Sequence, residues 1–333
     1  MTPTRRSLLL APALGLLSKL GRSDNTANPA QAPATRILCG GDVMLSRYVG
    51  ARALRQSDPA SPLRDLAPLL SSADIAFVNL EAPFSDHGRR IEKGMVFKAE
   101  PEMIEALRVA GIDVVSTANN HARDCGSYGV DFTLDWLAKN GIAAAGTGHT
   151  AAQAHQGAVI ERNGRRYGFL AYTYDQSNGN HADQDDRIAM LADPERMAAD
   201  VSSLHSRADA VIVSMHAGVE YQKQPNAEQR RFAHAAIDAG ASAVVGAHPH
   251  VTQPIESYRG GVIFYSLGNL VFDQFQRAET QRGALAEVVF SGKTLESAAL
   301  MPVVIEGTIP HLVMPAAESG TRDEARASSI ASR

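Results

Sequence analysis

Five times along this chain a short apolar run ends directly in residues able to bind a cation. The runs are Leu38-Cys39-Gly40-Gly41-Asp42, Val78-Asn79-Leu80-Glu81, Ser116-Thr117-Ala118-Asn119-Asn120-His121, Val213-Ser214-Met215-His216 and Val244-Val245-Gly246-Ala247-His248-Pro249-His250. Compact apolar runs of this length read as buried strands. Ligands of open α/β sheets gather at the carboxyl ends of strands, so five such ends point to one shared site. A buried, unpaired carboxylate costs several kcal/mol, against a domain stability of only about 5–15 kcal/mol. Divalent cations held by carboxylate oxygen and imidazole nitrogen would offset that cost.

Each motif also has a plainer reading. Asp42 could cap a helix begun at Val43, and Glu81, before Ala82-Pro83, could be a solvated turn residue. Asn120-His121 could be a polar loop, and His216 a satisfied core histidine. His248-x-His250 is the most specific piece, because alternate residues beside a strand point to one side. His234 reads as structural. His87, His149, His155, His181, His205 and His311 read as solvent-exposed.

The rest of the chain fits an α/β class. Thr35–Cys39, Asp74–Leu80 and Asp113–Thr117 read as strands, and Ser61–Ser72, Glu100–Ala110 and Ser127–Lys139 as helices. Ala158–Glu161 and Tyr167–Tyr172 flank Asn163-Gly164, a hairpin signal. Asn178–Asp186 reads as a loop, Pro194–Ser206 and Asn226–Ala239 as helices, and Ala210–Met215, Ser242–Gly246 and Val262–Leu267 as strands. Ala284–Phe290 and Leu295–Val304 suggest a terminal antiparallel pair. The segment 35–314 is expected to form one domain, preceded by a signal peptide and linker over 1–34 and followed by a disordered tail over 315–333. Arg5-Arg6 precede an apolar run from Leu8 to Leu17. As a helix that run spans roughly 15 Å against ~30 Å of hydrocarbon, which suits a signal better than an anchor. The paired arginines point to the twin-arginine route and to a periplasmic or extracellular protein.

The formal net charge is −4, with no long basic run after the N-terminus, which argues against nucleic acid as a partner. Neither a Walker A loop nor a G-x-S-x-G elbow is present, so ligation by this chain alone and serine hydrolysis both lack support. Only two cysteines occur, Cys39 and Cys125. An oxidising compartment would permit a bridge between them, and two buried thiols are the alternative.

Taken in order, Gly41-Asp42-Val43-Met44, Asn79-Leu80-Glu81-Ala82-Pro83, Ala118 to Gly126, His216 to Tyr221, Gly246 to Val251 and Tyr265 to Asp273 resemble motifs of the CapA (poly-γ-glutamate capsule synthesis) family. That family is similar to calcineurin-like metallophosphoesterases, so the resemblance implies a four-layer α/β/β/α sandwich. It implies one or two divalent ions, Mn, Fe, Zn or Mg. Asp42 and His250 would serve one ion, Asn120, His216 and His248 the other, and Glu81 would stand at the bridging position. His121 would protonate a leaving group or stabilise the transition state, with Asp124 and Glu220 orienting it or facing substrate. Expected partners are an anionic polymer or phosphoester substrate and a capsule-synthesis membrane complex. A metal-dependent hydrolase, a non-catalytic polymer-binding or export subunit, and a nucleotidase-like phosphatase are the competing readings. Three departures bear on the site. Met44 stands where a histidine is usual, which weakens the first ion site; Glu81 is longer than the usual Asp, which would change the metal spacing; and His216-Ala217-Gly218 replaces His-Trp-Gly, which would open or reshape a substrate groove.

Overall fold

The computed structural model describes residues 33–87, 95–174 and 186–313. The expected signal segment, apart from Pro33 and Ala34, the 315–333 tail, His181 and the loop before Asp186 lie outside the described residues. In chain order the elements are β1 (Ala34–Val43), α1 (Arg47–Arg55), α2 (Ala67–Leu70), β2 (Ile75–Leu80), α3 (Ile104–Val109), β3 (Val114–Ser116), α4 (Gly126–Lys139), β4 (Ala143–Ala145), α5 (Ala151–Ala154), β5 (Ala158–Arg162) and β6 (Arg165–Thr173). The second half holds α6 (Pro194–His205), β7 (Ala210–His216), α7 (Ala227–Asp238), β8 (Ala243–Ala247), β9 (Ile255–Tyr258), β10 (Gly261–Phe264), β11 (Asn269–Val271), β12 (Arg282–Ser291), β13 (Thr294–Glu306) and β14 (Ile309–Leu312).

Two sheets result. The first runs β14-β13-β12-β1-β2-β3-β4, with β11 also paired to β1; the second runs β5-β6-β7-β8-β10-β9. Strands β1 to β4 are mutually parallel, as are β6, β7, β8 and β10. Period-two alternation stacks the layers. On β1, Ile37 and Cys39 enter the core between the sheets while Leu38 faces the helices of the first half. On β7, Ile212 points between the sheets, and Val211 and Val213 pack under α6 and α7. Phe77 of the first sheet stacks on Phe169 of the second, centroids 5.8 Å apart and rings 8° from parallel. Burying each such ring contributes about 1.5–3 kcal/mol. The architecture is the α/β/β/α sandwich that the motifs imply.

Local chemistry sets the boundaries. Asn226 caps α7 in a capping box with Gln229, and Asp193 with Pro194 opens α6. The helix expected over Ser61–Ser72 is broken into a turn at Ser61–Leu63 and the short α2. Pro62 and Pro68 each start a new turn, because proline lacks the N–H and its ring clashes with the carbonyl four residues back. The strand expected over Val262–Leu267 stops at Phe264. Asp42 caps no helix: it lies inside β1, and α1 begins only at Arg47.

Two glycines allow the approaches that place the ligand motifs. A Cβ on Gly41 would lie 1.9 Å from the Gly268 carbonyl oxygen, and one on Gly246 2.0 Å from that of Tyr265. The first contact lets Asp42 N–H donate to Gly268 O at 3.0 Å. It seats Asp42 beside Asn269 in the β1–β11 register. No described helix is long and apolar enough to cross a membrane.

Candidate metal centre

The parallel strands of both sheets end at one place. From the first sheet come Asp42 on β1, Glu81 just after β2, and Asn119, Asn120 and His121 after β3. From the second come His216 at the end of β7, and His248 and His250 after β8. All are buried, with Asp42, Glu81 and His216 fully so. Ligand atoms fall into two overlapping groups. Those of Glu81, His216 and His248 lie within 4.8 Å of one another, and so do those of Asp42, Glu81 and His250. Glu81 belongs to both.

Glu81 is the most informative side chain. Neither carboxylate oxygen has a hydrogen-bond partner, and Nδ1 of His248 has none either. Buried polar groups of proteins are nearly always satisfied. Burial first, and the neighbouring Asp42 second, hold the Glu81 carboxyl well above the usual carboxylate range. Burial likewise pushes His216 and His248 well below the usual histidine range, and the surrounding histidines add to the shift. Neutral imidazoles are the form a divalent cation requires, and a carboxyl without protein donors keeps both oxygens for a cation that would displace its proton. This donor set therefore fits such an ion.

Hydrogen bonds fix the remaining atoms. Asn79 Nδ2 donates to Asp42 Oδ1 at 2.8 Å and lies 3.2 Å from His216 Nδ1. Nε2 of His216 meets Asn120 Oδ1 at 2.7 Å, which brings the two candidate ligand atoms side by side. His248 N–H donates to Asp42 Oδ2 at 3.2 Å, tying the two sheets together. Nδ1 of His250 sits 2.9 Å from Asn269 Oδ1 and 3.3 Å from Asp42 Oδ2. His248 and His250 have φ of 97° and 59°, a region costly for side-chain-bearing residues. Such conformations persist only where surrounding contacts enforce them.

His121 packs flat on Phe97, centroids 3.9 Å apart, and its Nδ1 meets Asp124 Oδ2 at 2.7 Å. Asp124 is fully buried and also accepts the Phe97 N–H. It therefore orients the His121 ring and does not face substrate. Glu220 is exposed at the rim, and its charge still raises the Glu81 pKa.

Other expectations are met or corrected here. Ala217 is buried in the core under α6 and α7, so its small side chain does not open a groove at the centre. Met44 is fully buried, and its sulfur accepts the Ser46 N–H at 3.2 Å. Cys39 and Cys125 form no bridge; both are buried thiols, and burial pushes Cys39 up to about 12. His155 is not simply exposed: it pairs with the buried Asp200 at 2.6 Å. His234 is structural, stacked on Tyr258 and bonded to Glu256 at 2.9 Å. Motif reading assigned no role to Asn79, Asn269 or Tyr174, whose ring lies 4.6 Å from that of His248. Asn79 and Asn269 lie within quoted motifs, which was the available signal.

Residues 36–274 match the family model described as bacterial capsule synthesis protein PGA_cap. The chain belongs to this family. Every residue of the centre lies within the PGA_cap match. One relative is the PGA biosynthesis protein CapA of Bacillus subtilis (strain 168), 35% identical over 237 residues, covering 70% of this chain and 62% of that one. Another is the capsule biosynthesis protein CapA of Bacillus anthracis, 31% identical over 242 residues, covering 70% and 59%. The chain thus spans about three fifths of the length of these PGA_cap relatives. A hypothetical protein from Thermus thermophilus, of known crystal structure, shares the fold with a TM-score of 0.51 at 21% identity, covering 80% of this chain and 98% of its own.

Proposed function

We propose that this chain is an exported accessory protein of capsule-type polymer biosynthesis, acting as a divalent-cation-dependent hydrolase on an anionic polymer of the poly-γ-glutamate kind. The observation that carries the cation dependence is the buried Glu81 carboxyl, with no hydrogen-bond partner on either oxygen and shared by two groups of candidate ligands. The polymer follows from what the relatives are named for. Export, by the twin-arginine route to the periplasm or beyond, rests on Arg5-Arg6 and the apolar run after them. A capsule-synthesis membrane complex is the setting this reading implies.

Asp42 and His250 would hold one ion, Asn120, His216 and His248 the other, with Glu81 on both. Bound there, a divalent cation supplies Lewis acidity and a water-derived nucleophile near neutral pH. The chain's own residues do the rest. Asp124 fixes the His121 ring through Nδ1, leaving Nε2 to deliver a proton to the leaving group. Asn79 and Asn269 hold Asp42, His216 and His250 in place. Phe97 walls His121 off from water on one face.

The test is metal analysis of the purified protein, joined to hydrolysis assays on γ-linked polyglutamate and on simple phosphoesters. We expect bound divalent metal and cleavage that is lost in both Glu81→Gln and His121→Ala. A protein that holds no divalent metal would sink the reading. The Met44 sulfur, engaged with the backbone where a ligand histidine is usual, favours a second reading: a polymer-binding subunit without turnover. Metal-loaded protein that cleaves neither substrate class would support it. Activity on simple nucleotides that is lost in His248→Ala would instead indicate a nucleotidase-like phosphatase.

A further inference from the structure

On the His250 side of the centre lies a cavity of about 220 Å³, walled by Arg47, Met95, Tyr221, Gln274, Arg277 and Thr280. It adjoins both ends of the proposed chemistry. The Tyr221 ring is 6.3 Å from that of His250. The Arg47 guanidinium carbon is 5.5 Å from the centroid of Phe97, the ring stacked on His121.

The two arginines differ. Arg47 is held by Asp273 at 2.9 Å, which also accepts the Tyr48 N–H at 3.1 Å. Arg277 lies over the face of Tyr221, its guanidinium carbon 4.5 Å from the ring centroid, and has no ion pair among the described residues. Stacking holds the planar guanidinium and leaves its N–H edge for an oxyanion, which a carboxylate matches with two parallel hydrogen bonds. Surrounding charges limit what fits. Lys223 faces Glu279 at 3.5 Å, and Glu220 reaches the Tyr221 hydroxyl. One cation without an ion pair amid these acids suits a singly charged group better than a dianion. The backbone singles out the same walls: Arg47 and Tyr221 have φ of 52° and 66°, and His250 beside them 59°.

We infer that Arg277, stacked on Tyr221, docks a side carboxylate of an acidic peptide-linked chain close to the bond presented to the metal centre. The two steps from Arg277 to His250 are 4.5 and 6.3 Å, so the docked carboxylate belongs to a residue close to that bond. The inference rests on the proposed hydrolase reading for the position of the bond, and not for the capture of the carboxylate.

Equilibrium dialysis of the full chain loaded with Mn²⁺ tests it, using γ-linked pentaglutamate, its fully amidated counterpart and inorganic phosphate as probes. We expect the native protein to prefer the charged peptide over the amidated one by roughly tenfold or more. Arg277→Ala should erase that preference with metal content unchanged, and Arg277→Lys should restore only part of it. Equal binding of the two peptides, preference for phosphate, or pentaglutamate binding indifferent to Arg277→Ala each overturns the inference. The Glu81→Gln variant separates the two claims. If it loses metal and hydrolysis yet binds pentaglutamate through Arg277, the carboxylate site stands without the hydrolase. If hydrolysis is metal-dependent and binding ignores Arg277, the hydrolase stands without the site.

Discussion

Around Glu81 the side toward His216 and His248 is rich in nitrogen, and the side toward Asp42 and His250 is richer in oxygen. Asn120 adds an oxygen to the first group, converging with His216 Nε2. The second group lies next to Met44, whose sulfur is turned to the Ser46 backbone and not offered as a ligand. Imidazole suits zinc, iron and copper, while carboxylate and water suit magnesium and manganese. Two ions sharing one carboxylate should therefore bind unequally, the imidazole-rich half holding its ion more tightly. A shared carboxylate would not make the halves equivalent; the atoms on its far sides would decide.

The sharpest way to break this comparison is to remove what the halves share. Glu81→Gln should take the metal content from two ions per chain to near none, read by elemental analysis. It should also cut hydrolysis at least ~1000-fold, equivalent to about 4 kcal/mol of barrier. Retention of one tightly bound ion would show that Glu81 is not shared. His121→Ala should leave both ions in place and lower turnover by about 10²–10⁴-fold, which separates metal holding from proton delivery. A loss of metal in that variant would put His121 among the ligands instead.

Smaller effects distinguish one half from the other. Of the candidate ligands Asn269 bonds His250, its Nδ2 being spent on Gln274 and the Thr280 carbonyl, so Asn269→Ala should weaken the oxygen-rich half about 10–100-fold while sparing the imidazole-rich half. Asn79→Ala touches Asp42 and His216 and should weaken both, which titration calorimetry would resolve as two shifted isotherms. The smallest effect is on stability. A cation at about 100 times its dissociation constant adds roughly 2.7 kcal/mol. At ~2–4 °C per kcal/mol for a domain of this order of size, the melting temperature should rise several degrees in the native protein and not at all in Glu81→Gln.

Much of this centre could be read in advance, because its ligands directly follow apolar runs long enough to identify as strands. Asp42, Glu81, Asn120, His216, His248 and His250 are brought together as that pattern implies. Asn79 and Asn269 were visible as motif letters, but their roles depend on which distant strands become neighbours. The Asp42–Asn269 register arises from β1 pairing with β11, some 200 residues later in the chain. Strands β4, β9, β11 and β14 have three or four residues, too few for alternation to declare itself. The apolar spacing of Ser61–Ser72 was real, but Pro62 and Pro68 outweighed it. Glu220 carries a chemically apt side chain that the fold leaves at the rim, and nothing in its neighbours distinguishes it from Asp124, which is buried.

The direct bond from the His248 amide to the Asp42 carboxylate has a wider consequence. The candidate donors come from two separate sheets, so neither half of the molecule carries the full set by itself. A cation here would act as a rivet through the sandwich, and its retention would gauge how well the layers are closed. Damage to the stacked Phe77 and Phe169 between the sheets would then surface first as a leaking metal, before the fold itself gave way.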